Sequence, residues 1–539
     1  MKITAAAAIL KVLREQGTEV IFGYPGAANT PLYDCIPKSG LRCVLTRNEQ
    51  AAAHAAGSSY KLTGKVGVCT ATSGPGATNL LTGIANAYMD SIPLVAITGQ
   101  VSTSQVGTDS FQEVDFTGVT TPVTKHNFLV KNAEEIPSVI RKAFYIAGTG
   151  RPGPVVVDVP LDVLTKKINF YEENIISIRG YQPEHLPKEQ QLCTLAQMMR
   201  ASERPLIIAG GGVPGSGCDF TRFAENCAVP VVSTMMGITS LPSKHGQYLG
   251  MAGWYGTKAA EYALTHADFV MFLGARVSDR TIANPAELAQ RAKIAHIDID
   301  PAEINKNIDC DIGIAANVKT VLPALERLLD GWHADKNWLA ACMAYRREDF
   351  ALNARTSDKI HPKYFMQILS EETDENAIIV TEVGQNQIWT ANHYAFQSSN
   401  TFLTSGGFGT MGYGLPAAIG AKILRPDLTV IAVEGDGSLQ MTLAELATLK
   451  QANAALKIVL MKNRTLGMVR ELQKKHYRSN FVSVDLGKYP NFQKIAEAYD
   501  ISFRSISHTG EVTAAVREML AAKNAFLLEV CIDESETTI

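Results

Sequence analysis

The chain lacks the cysteine spacing of a disulfide framework or a zinc site. Its nine cysteines are scattered from Cys35 to Cys531, the number is odd, and no Cys-x-x-Cys occurs. That pattern excludes cystine or zinc as the organising device and fits a reducing cytoplasm. An excess of either charge is also lacking, since 50 basic and 53 acidic residues leave a formal net charge of −3. A nucleic-acid or anionic-membrane binder built on electrostatics is thereby disfavoured. The basic run from Lys474 to Arg478 reads as a solvated helix face. No apolar run is long enough to span a bilayer. The apolar start, residues 4–10, is cut by Lys11, Arg14 and Glu15, so it reads as an amphipathic helix, not a signal peptide.

What is present is an ordinary globular composition, 46% apolar and 19% charged over 539 residues. Disordered, collagenous and rod-like chains do not look like this. The length suggests about three or four domains. The 42 glycines fall largely in clusters after apolar runs, where phosphate-binding turns are built.

Strand-like and helix-like segments alternate. Strands are expected at 19–23, 44–47, 66–70, 94–98 and 155–159, with helices at 5–16 and 49–63. Such alternation means parallel sheets covered on both faces. Residues 166–190 are polar, contain Pro183 and Pro187, and read as a linker. A second block has strands at 205–209, 231–234, 269–274 and 294–299. Residues 331–360 are charged and read as a second, helical linker. A third block has strands at 377–381, 430–434, 457–462 and 525–530. The expected fold class is α/β, three consecutive domains with mainly parallel sheets, spanning 1–165, 188–330 and 358–539. No short-period repeat is visible.

The most informative stretch is the third block's strand into Gly435-Asp436-Gly437-Ser438. A helix is expected from 439 to 451, and the next strand ends in Lys462-Asn463. A right-handed crossover puts Asp436 and Asn463 at one carboxyl edge, where open α/β sheets bind ligands. Two oxygen donors plus a backbone carbonyl suit Mg²⁺, which also takes phosphate oxygens. The flanking glycines let backbone approach a diphosphate, and Ser438 is expected to head an anion-favouring helix start. A bare tight turn with Asp as a cap is the competing reading, and Asn463 at the next strand end outweighs it.

Gly435-Asp436-Gly437 with Asn463 resembles the thiamine diphosphate (ThDP) motif. Further segments resemble the acetohydroxyacid (acetolactate) synthase family. They are Phe22-Gly23-Tyr24-Pro25-Gly26-Ala27, Thr46-Arg47-Asn48-Glu49-Gln50, Thr72-Ser73-Gly74-Pro75-Gly76, Gly107-Thr108-Asp109-Ser110-Phe111-Gln112-Glu113 and Ser405-Gly406-Gly407-Phe408-Gly409-Thr410-Met411-Gly412. The likeness runs over nearly the whole chain. It implies a pyrimidine-binding domain, a central FAD-type domain and a diphosphate-binding domain, in that order. It implies a ThDP- and Mg²⁺-dependent enzyme of branched-chain amino acid biosynthesis. That enzyme decarboxylates pyruvate and joins the hydroxyethyl unit to a second 2-keto acid, giving 2-acetolactate. The alternative is another ThDP-dependent decarboxylase, oxidase or carboligase.

Taken alone, Glu49 is an acid in a first helical turn, favoured there by the helix dipole. The resemblance implies more: a hydrogen bond to N1′ of the aminopyrimidine, which activates the thiazolium C2–H. It places Met411 under the cofactor. It assigns Val383, Gly384, Gln385, Asn386, Gly409, Gly435, Gly437, Ser438, Leu466, Gly467 and Met468 to ThDP binding, and Asp436, Asn463 and Thr465 to the metal. Asn386 stands where the family usually has His. In this family Glu49 and Asp436 serve one cofactor from two chains, so a homodimer is the minimum unit, with a homotetramer and a small regulatory subunit as further partners.

The acceptor's carboxylate needs a cation, and Arg280 matches the family's arginine for that task. Phe111 and Gln112 match residues near the reacting centre, and the Gly26 N–H is expected to face the developing oxyanion. Three departures stand out. Leu161 replaces a channel lysine, Leu472 replaces a tryptophan that favours 2-ketobutyrate, and the chain stops at Ile539, before the tail that closes the site in many members. Pyruvate is therefore the expected acceptor. For FAD, Gly210-Gly211-Gly212 follows a strand but lacks an acidic ribose partner at the next strand end. The resemblance adds Arg151, Thr234, Arg276, Arg280, Asp298 and Ile299. Trp254-Tyr255 and Ala316-Asn317 depart from the usual Met-His and Gly-Asp.

Overall fold

The computed structural model describes residues 2–172, 176–216, 219–349, 358–488 and 490–538. It contains three six-stranded parallel sheets, one per domain. In the N-terminal sheet the strands lie side by side as Arg42–Leu45, Val20–Gly23, Gly67–Ala71, Leu94–Gln100, Pro154–Pro160 and His126–Leu129. In the C-terminal sheet they lie as Phe402–Leu403, Ile378–Thr381, Val430–Gly435, Lys457–Lys462, Phe526–Cys531 and Ser502–Ile506. Counted along each domain, both orders are second, first, third, fourth, sixth, fifth. The two outer domains share one topology that the residues do not display as a repeat.

The central sheet runs Tyr248–Met251, Val231–Ser233, Pro205–Ala209, Phe269–Leu273, Lys293–Asp298 and Ile312–Ala315. Here the order is third, second, first, fourth, fifth, sixth, the order of dinucleotide-binding folds.

The interior strands are continuous apolar runs because both faces are covered. Residues 94–100, 154–160, 205–209 and 269–273 are buried throughout. Within the three six-stranded sheets, the five strands that the pattern missed, 126–129, 248–251, 312–315, 402–403 and 502–506, are all edges. Ser502–Ile506 buries only its last residue, so it carries little periodic signal. The strand expected at 44–47 forms two residues earlier, as Arg42–Leu45.

The helix expected at 49–63 is two helices, Glu49–Gly57 and Ser59–Thr63. Ser58 breaks it, with its hydroxyl turned back onto Ala55 O at 2.7 Å. Helix Glu49–Gly57 is rich in alanine because it is sandwiched. A Cβ on Gly420, in helix Gly414–Leu424, would meet Ala55 O at 2.3 Å, and one on Gly83 would meet the Ala53 Cβ at 2.5 Å. Only small residues let three helix backbones approach this closely. One apolar core, containing Phe22, Ala52, Leu80, Leu415 and Leu446, thus spans the two outer domains.

The first expected linker carries a short strand, Lys167–Asn169, paired antiparallel with Lys2–Thr4; its residues 173–175 lie outside the described residues. The second is helix Lys336–Asp349, and 350–357 lie outside the described residues. That helix docks on the central domain. Trp338 is buried there and its Nε1 donates to Pro205 O at 2.9 Å. No helix among the described residues is long and apolar enough to cross a membrane.

Candidate functional site

In the C-terminal sheet the chain reverses direction between strands Ile378–Thr381 and Val430–Gly435, and the crevice at such a reversal is where ligands bind. Gly384 leads from the first strand into helix Gln385–His393. The helix expected after Gly-Asp-Gly is not continuous. One turn, Asp436–Leu439, is followed by a 3₁₀ turn, Gln440–Thr442, and then helix Glu445–Ala452. Ser438 therefore lies in the single turn Asp436–Leu439, not at the start of a long helix. Its hydroxyl lies 3.2 Å from Gly435 N and fastens the Gly435–Asp436 turn.

Asp436 is buried, and burial lifts its carboxyl to about 6. Its Oδ2 accepts the Arg464 N–H at 2.7 Å. Asn463 Oδ1 accepts Thr465 N–H at 3.2 Å, and Asn463 Nδ2 donates to Gln385 Oε1 at 2.7 Å. The Thr465 hydroxyl is buried with no partner among the described residues. A buried acid short of counter-charge beside an orphaned oxygen is what a hard divalent cation would satisfy. The described residues hold no cluster of three His, Cys, Asp or Glu, as expected for a set with one carboxylate and neutral oxygens. The residues therefore fit Mg²⁺ with a diphosphate.

The surrounding glycines let side-chain ends pack close to the backbone. A Cβ on Gly467 would fall 1.8 Å from Gln385 Oε1, and one on Gly437 would meet Leu466 Cδ2 at 2.6 Å. Gly409 has φ +69 and open space before it. Leu466 caps helix Gly467–His476, which places Met468 in its first turn. Asn386 is buried, and its Nδ2 donates to Val433 O and Glu382 O, tying two strand ends together. Glu382 was not singled out in the sequence. Its buried carboxylate accepts N–H bonds from Val383, Gly412 and Gly414 and so fixes the loop bearing Met411. An acid at the end of a buried strand was the available signal. Glu434 is its neighbour, and burial beside Glu382 pushes it well above the carboxylate range.

At the carboxyl edge of the N-terminal sheet, Glu49 opens its helix behind the Asn48 cap. Its Oε2 accepts from Asn79 Nδ2 at 3.0 Å, and a Cβ on Gly76 would lie 3.2 Å from Oε1. The Gly26 N–H does not point free. It donates to Asn29 Oδ1 at 2.7 Å, because the turn closes as an Asn-capped loop. Phe111 is 86% exposed, and Gln112 has φ +60 with its backbone packed on Gly74. Their loop is held by Gln100 Nε2 on Val114 O at 2.9 Å, by Asp162 on Thr103, and by Glu113 on the Ser110 N–H at 3.0 Å. No hydrogen bond or ion pair among the described residues joins Glu49 to the Asp436 group.

In the central crevice the glycine loop is packed shut. Gly212 N donates to Gly274 O at 3.0 Å, and a Cβ on Gly210 would lie 2.1 Å from the same oxygen. Gly211 stands against Met236, and the Thr234 N–H pairs with Ala209 O. Arg151 is already committed: Nη1 to Glu303 at 2.8 Å and Asp300 at 3.3 Å, Nε to Ser91 at 3.0 Å. Arg276 lies against Gly407 and near the buried Asp90. Asp298, lifted by burial to about 6, accepts the Asp300 N–H, and Ile299 bridges the two. The strand order fits a dinucleotide, but Arg151 is held by Glu303, Asp300 and Ser91. Arg280 does project, with its guanidinium 5.0 Å from the Trp254 ring centre.

The geometry defines a three-domain α/β protein with a polar crevice at the carboxyl edge of its last sheet. Comparison with known proteins agrees. Residues 3–119 match the thiamine pyrophosphate enzyme N-terminal TPP binding domain, 192–325 the central domain, and 382–530 the C-terminal TPP binding domain. A probable acetolactate synthase large subunit of Methanocaldococcus jannaschii is 44% identical over 544 residues, covering 98% of this chain and 92% of the relative. The acetolactate synthase large subunit of Lactococcus lactis is 42% identical over 532 residues, with 98% and 92% covered. The chloroplastic acetolactate synthase 1 of Nicotiana tabacum is 40% identical, with 98% and 81% covered. The chain belongs to the thiamine pyrophosphate enzymes. Within them it belongs to the acetolactate synthase family.

Proposed function

We propose that this protein condenses two 2-keto acids to 2-acetolactate with ThDP and Mg²⁺. The observation that carries this is the buried Asp436 with Asn463 and the orphaned Thr465 hydroxyl at the crevice of the C-terminal sheet, in a chain whose relatives are named acetolactate synthases.

When bound, ThDP supplies the carbanion chemistry. Asp436, Asn463 and Thr465 hold Mg²⁺, and Gly384, Gln385, Gly435, Gly437 and Ser438 flank the diphosphate. Met411, on the loop fixed by Glu382, supports the cofactor's shape. Glu49 holds a proton at the aminopyrimidine ring nitrogen, and Asn79 orients its carboxylate from the other side. Phe111 and Gln112 line the reacting centre on the same side as Glu49. Arg280 takes the acceptor's carboxylate, which distinguishes a keto acid from an aldehyde.

A homodimer is the minimum unit in this reading, because Glu49 and the Asp436 group each supply half a site; a homotetramer is the larger form. The printed name "large subunit" of the relatives supports a small regulatory partner. The eight described cysteines are free, which fits a reducing compartment such as the cytoplasm. Flavin is proposed only as a structural ligand of the central crevice, on the strand order there, and no step of the reaction uses it.

The test is product analysis of the purified protein with pyruvate, ThDP and Mg²⁺, with and without FAD. Acetolactate is the expected product. Acetaldehyde or acetate without acetolactate would move the protein to the decarboxylase or oxidase branch.

A further inference from the structure

The loop that carries Met411 has little of its own to pack with. Gly406, Gly407, Gly409 and Gly412 surround that residue. Glycine backbone keeps its freedom unless contacts from outside remove it. The loop's own domain holds the two ends. Glu382 accepts the N–H groups of Gly412 and Gly414 at 3.0 and 2.8 Å. Gln387 Nε2 donates to the Thr404 hydroxyl at 2.6 Å and to Ser405 O at 3.2 Å.

The stretch between is held from the N-terminal domain. Asn86 lies near the end of helix Pro75–Met89 and takes two hydroxyls on one oxygen. Thr410 Oγ1 donates to Asn86 Oδ1 at 3.2 Å, and the Ser405 hydroxyl bonds the same oxygen. Ser405 Oγ itself accepts the Thr410 N–H at 2.9 Å, which leaves its proton for Asn86. One helical turn further on, Asp90 Oδ1 accepts the Gly407 N–H at 2.6 Å. Asn86, Ser405 and Thr410 are all buried, where a polar network with its members satisfied is rigid. Asn79 sits seven residues before Asn86, hence on the same helix face, and it donates to Glu49. The helix thus meets Glu49 with its first turns and the Met411 loop with its last.

We infer that Asn86 is a positioning residue for the cofactor. Its side-chain oxygen fixes the stretch from Ser405 to Thr410 and thereby the place of Met411. This rests on the reading of Met411 as the support of the cofactor's shape.

The test compares the parent with Asn86→Ala, Thr410→Val, the double variant and Met411→Ala, each as the full chain in Mg²⁺. Titration calorimetry reads ThDP affinity, and NMR after quench reads proton exchange at C2 of the bound cofactor. In Asn86→Ala the dissociation constant for ThDP should rise about five- to thirtyfold, because two buried hydroxyls lose their acceptor. Exchange at C2 and kcat should fall about three- to tenfold, with the pyruvate KM changed less than about twofold. Thr410→Val keeps the volume and removes one of the two bonds, so its rise should be about two- to fivefold. It should add little to Asn86→Ala in the double variant. A lower urea midpoint with parental ThDP affinity and exchange would make Asn86 a purely structural residue and overturn the proposal. Fully additive losses in the double variant would overturn it too, since the shared oxygen would then not be the link. Should Asn86→Ala fail to fold, Thr410→Val decides alone, and parental affinity there overturns the proposal. Parental affinity and exchange in Met411→Ala would show that the reading of Met411 is the part that fails, and the proposal with it.

Discussion

Glu445 accepts the backbone N–H of Asn48 at 3.0 Å and that of Arg47 at 2.8 Å with the same oxygen, Oε1. The C-terminal domain thus grips the turn that leads into Glu49. The strand Arg42–Leu45 ends where it does because these two donors leave the sheet for a carboxylate almost four hundred residues away in sequence. Glu445 and Asp436 lie on one continuous stretch, so the segment proposed to bind the metal also holds the turn before the Glu49 helix.

Removing that grip should be felt at both levels. Glu445→Ala strands two backbone donors, an expected loss of roughly 1–3 kcal/mol. Urea unfolding measures it. The variant should also slow proton exchange at C2 of bound ThDP, read by NMR after deuterium quench. Glu445→Gln keeps an acceptor and should lie between parent and Ala. Exchange at the parental rate in Glu445→Ala would separate the grip from Glu49.

Glu49→Gln should fold and bind ThDP much as the parent does, because Gln keeps the volume and an oxygen for Asn79. Exchange at C2 should fall by about 10²- to 10⁴-fold, the usual loss for a missing acid–base group. An undiminished exchange rate counts against Glu49 as the activating acid.

Asp436→Ala removes the one carboxylate of the proposed metal set. ThDP affinity in Mg²⁺ should drop at least about tenfold, and excess Mg²⁺ should restore only part of it. Titration calorimetry with the diphosphate cofactor reads this directly. Parental affinity would place the metal elsewhere.

Asp158 links stability to pH. It is buried, bonded by the Thr98 hydroxyl at 2.7 Å and Gln100 Nε2 at 2.9 Å, and burial lifts it to about 7. A carboxyl raised on folding binds its proton more readily when folded. Its contribution is fully present below the ordinary carboxylate value and is lost as pH rises through about 7. At full shift this amounts to roughly 4 kcal/mol. Asp158→Asn mimics the protonated acid, and the Thr98 hydroxyl can reverse to accept from the amide. The variant should therefore gain on the parent at pH 8 and lose that advantage at pH 5. Equal differences at both pH values in urea melts would refute the assignment.

Much of this was legible in the residues. Strands 205–209 and 457–462 lie where their apolar runs put them, since a strand buried on both faces leaves an unbroken apolar signature. Glu49, Asp436 and Asn463 stood out because each follows a strand, marked by glycine or by an abrupt change to polar residues. The edge strands could not, because one side of an edge needs no regular pattern.

The sequence by itself determined three α/β domains, their order, and the residue types proposed for a metal and diphosphate crevice, because buried strands and the turns after them are locally encoded. Only the tertiary structure decided that the outer domains share one strand order around a common core. It decided that the Gly26 N–H is spent on Asn29, that Arg151 is spent on Glu303 and Asp300, and that Glu445 holds Asn48 while Trp254 holds Arg280. These are contacts between side chains, carbonyls and N–H groups, several of them far apart along the chain. Nothing in local propensity or periodicity records which partner a polar group will meet once helices and sheets have packed.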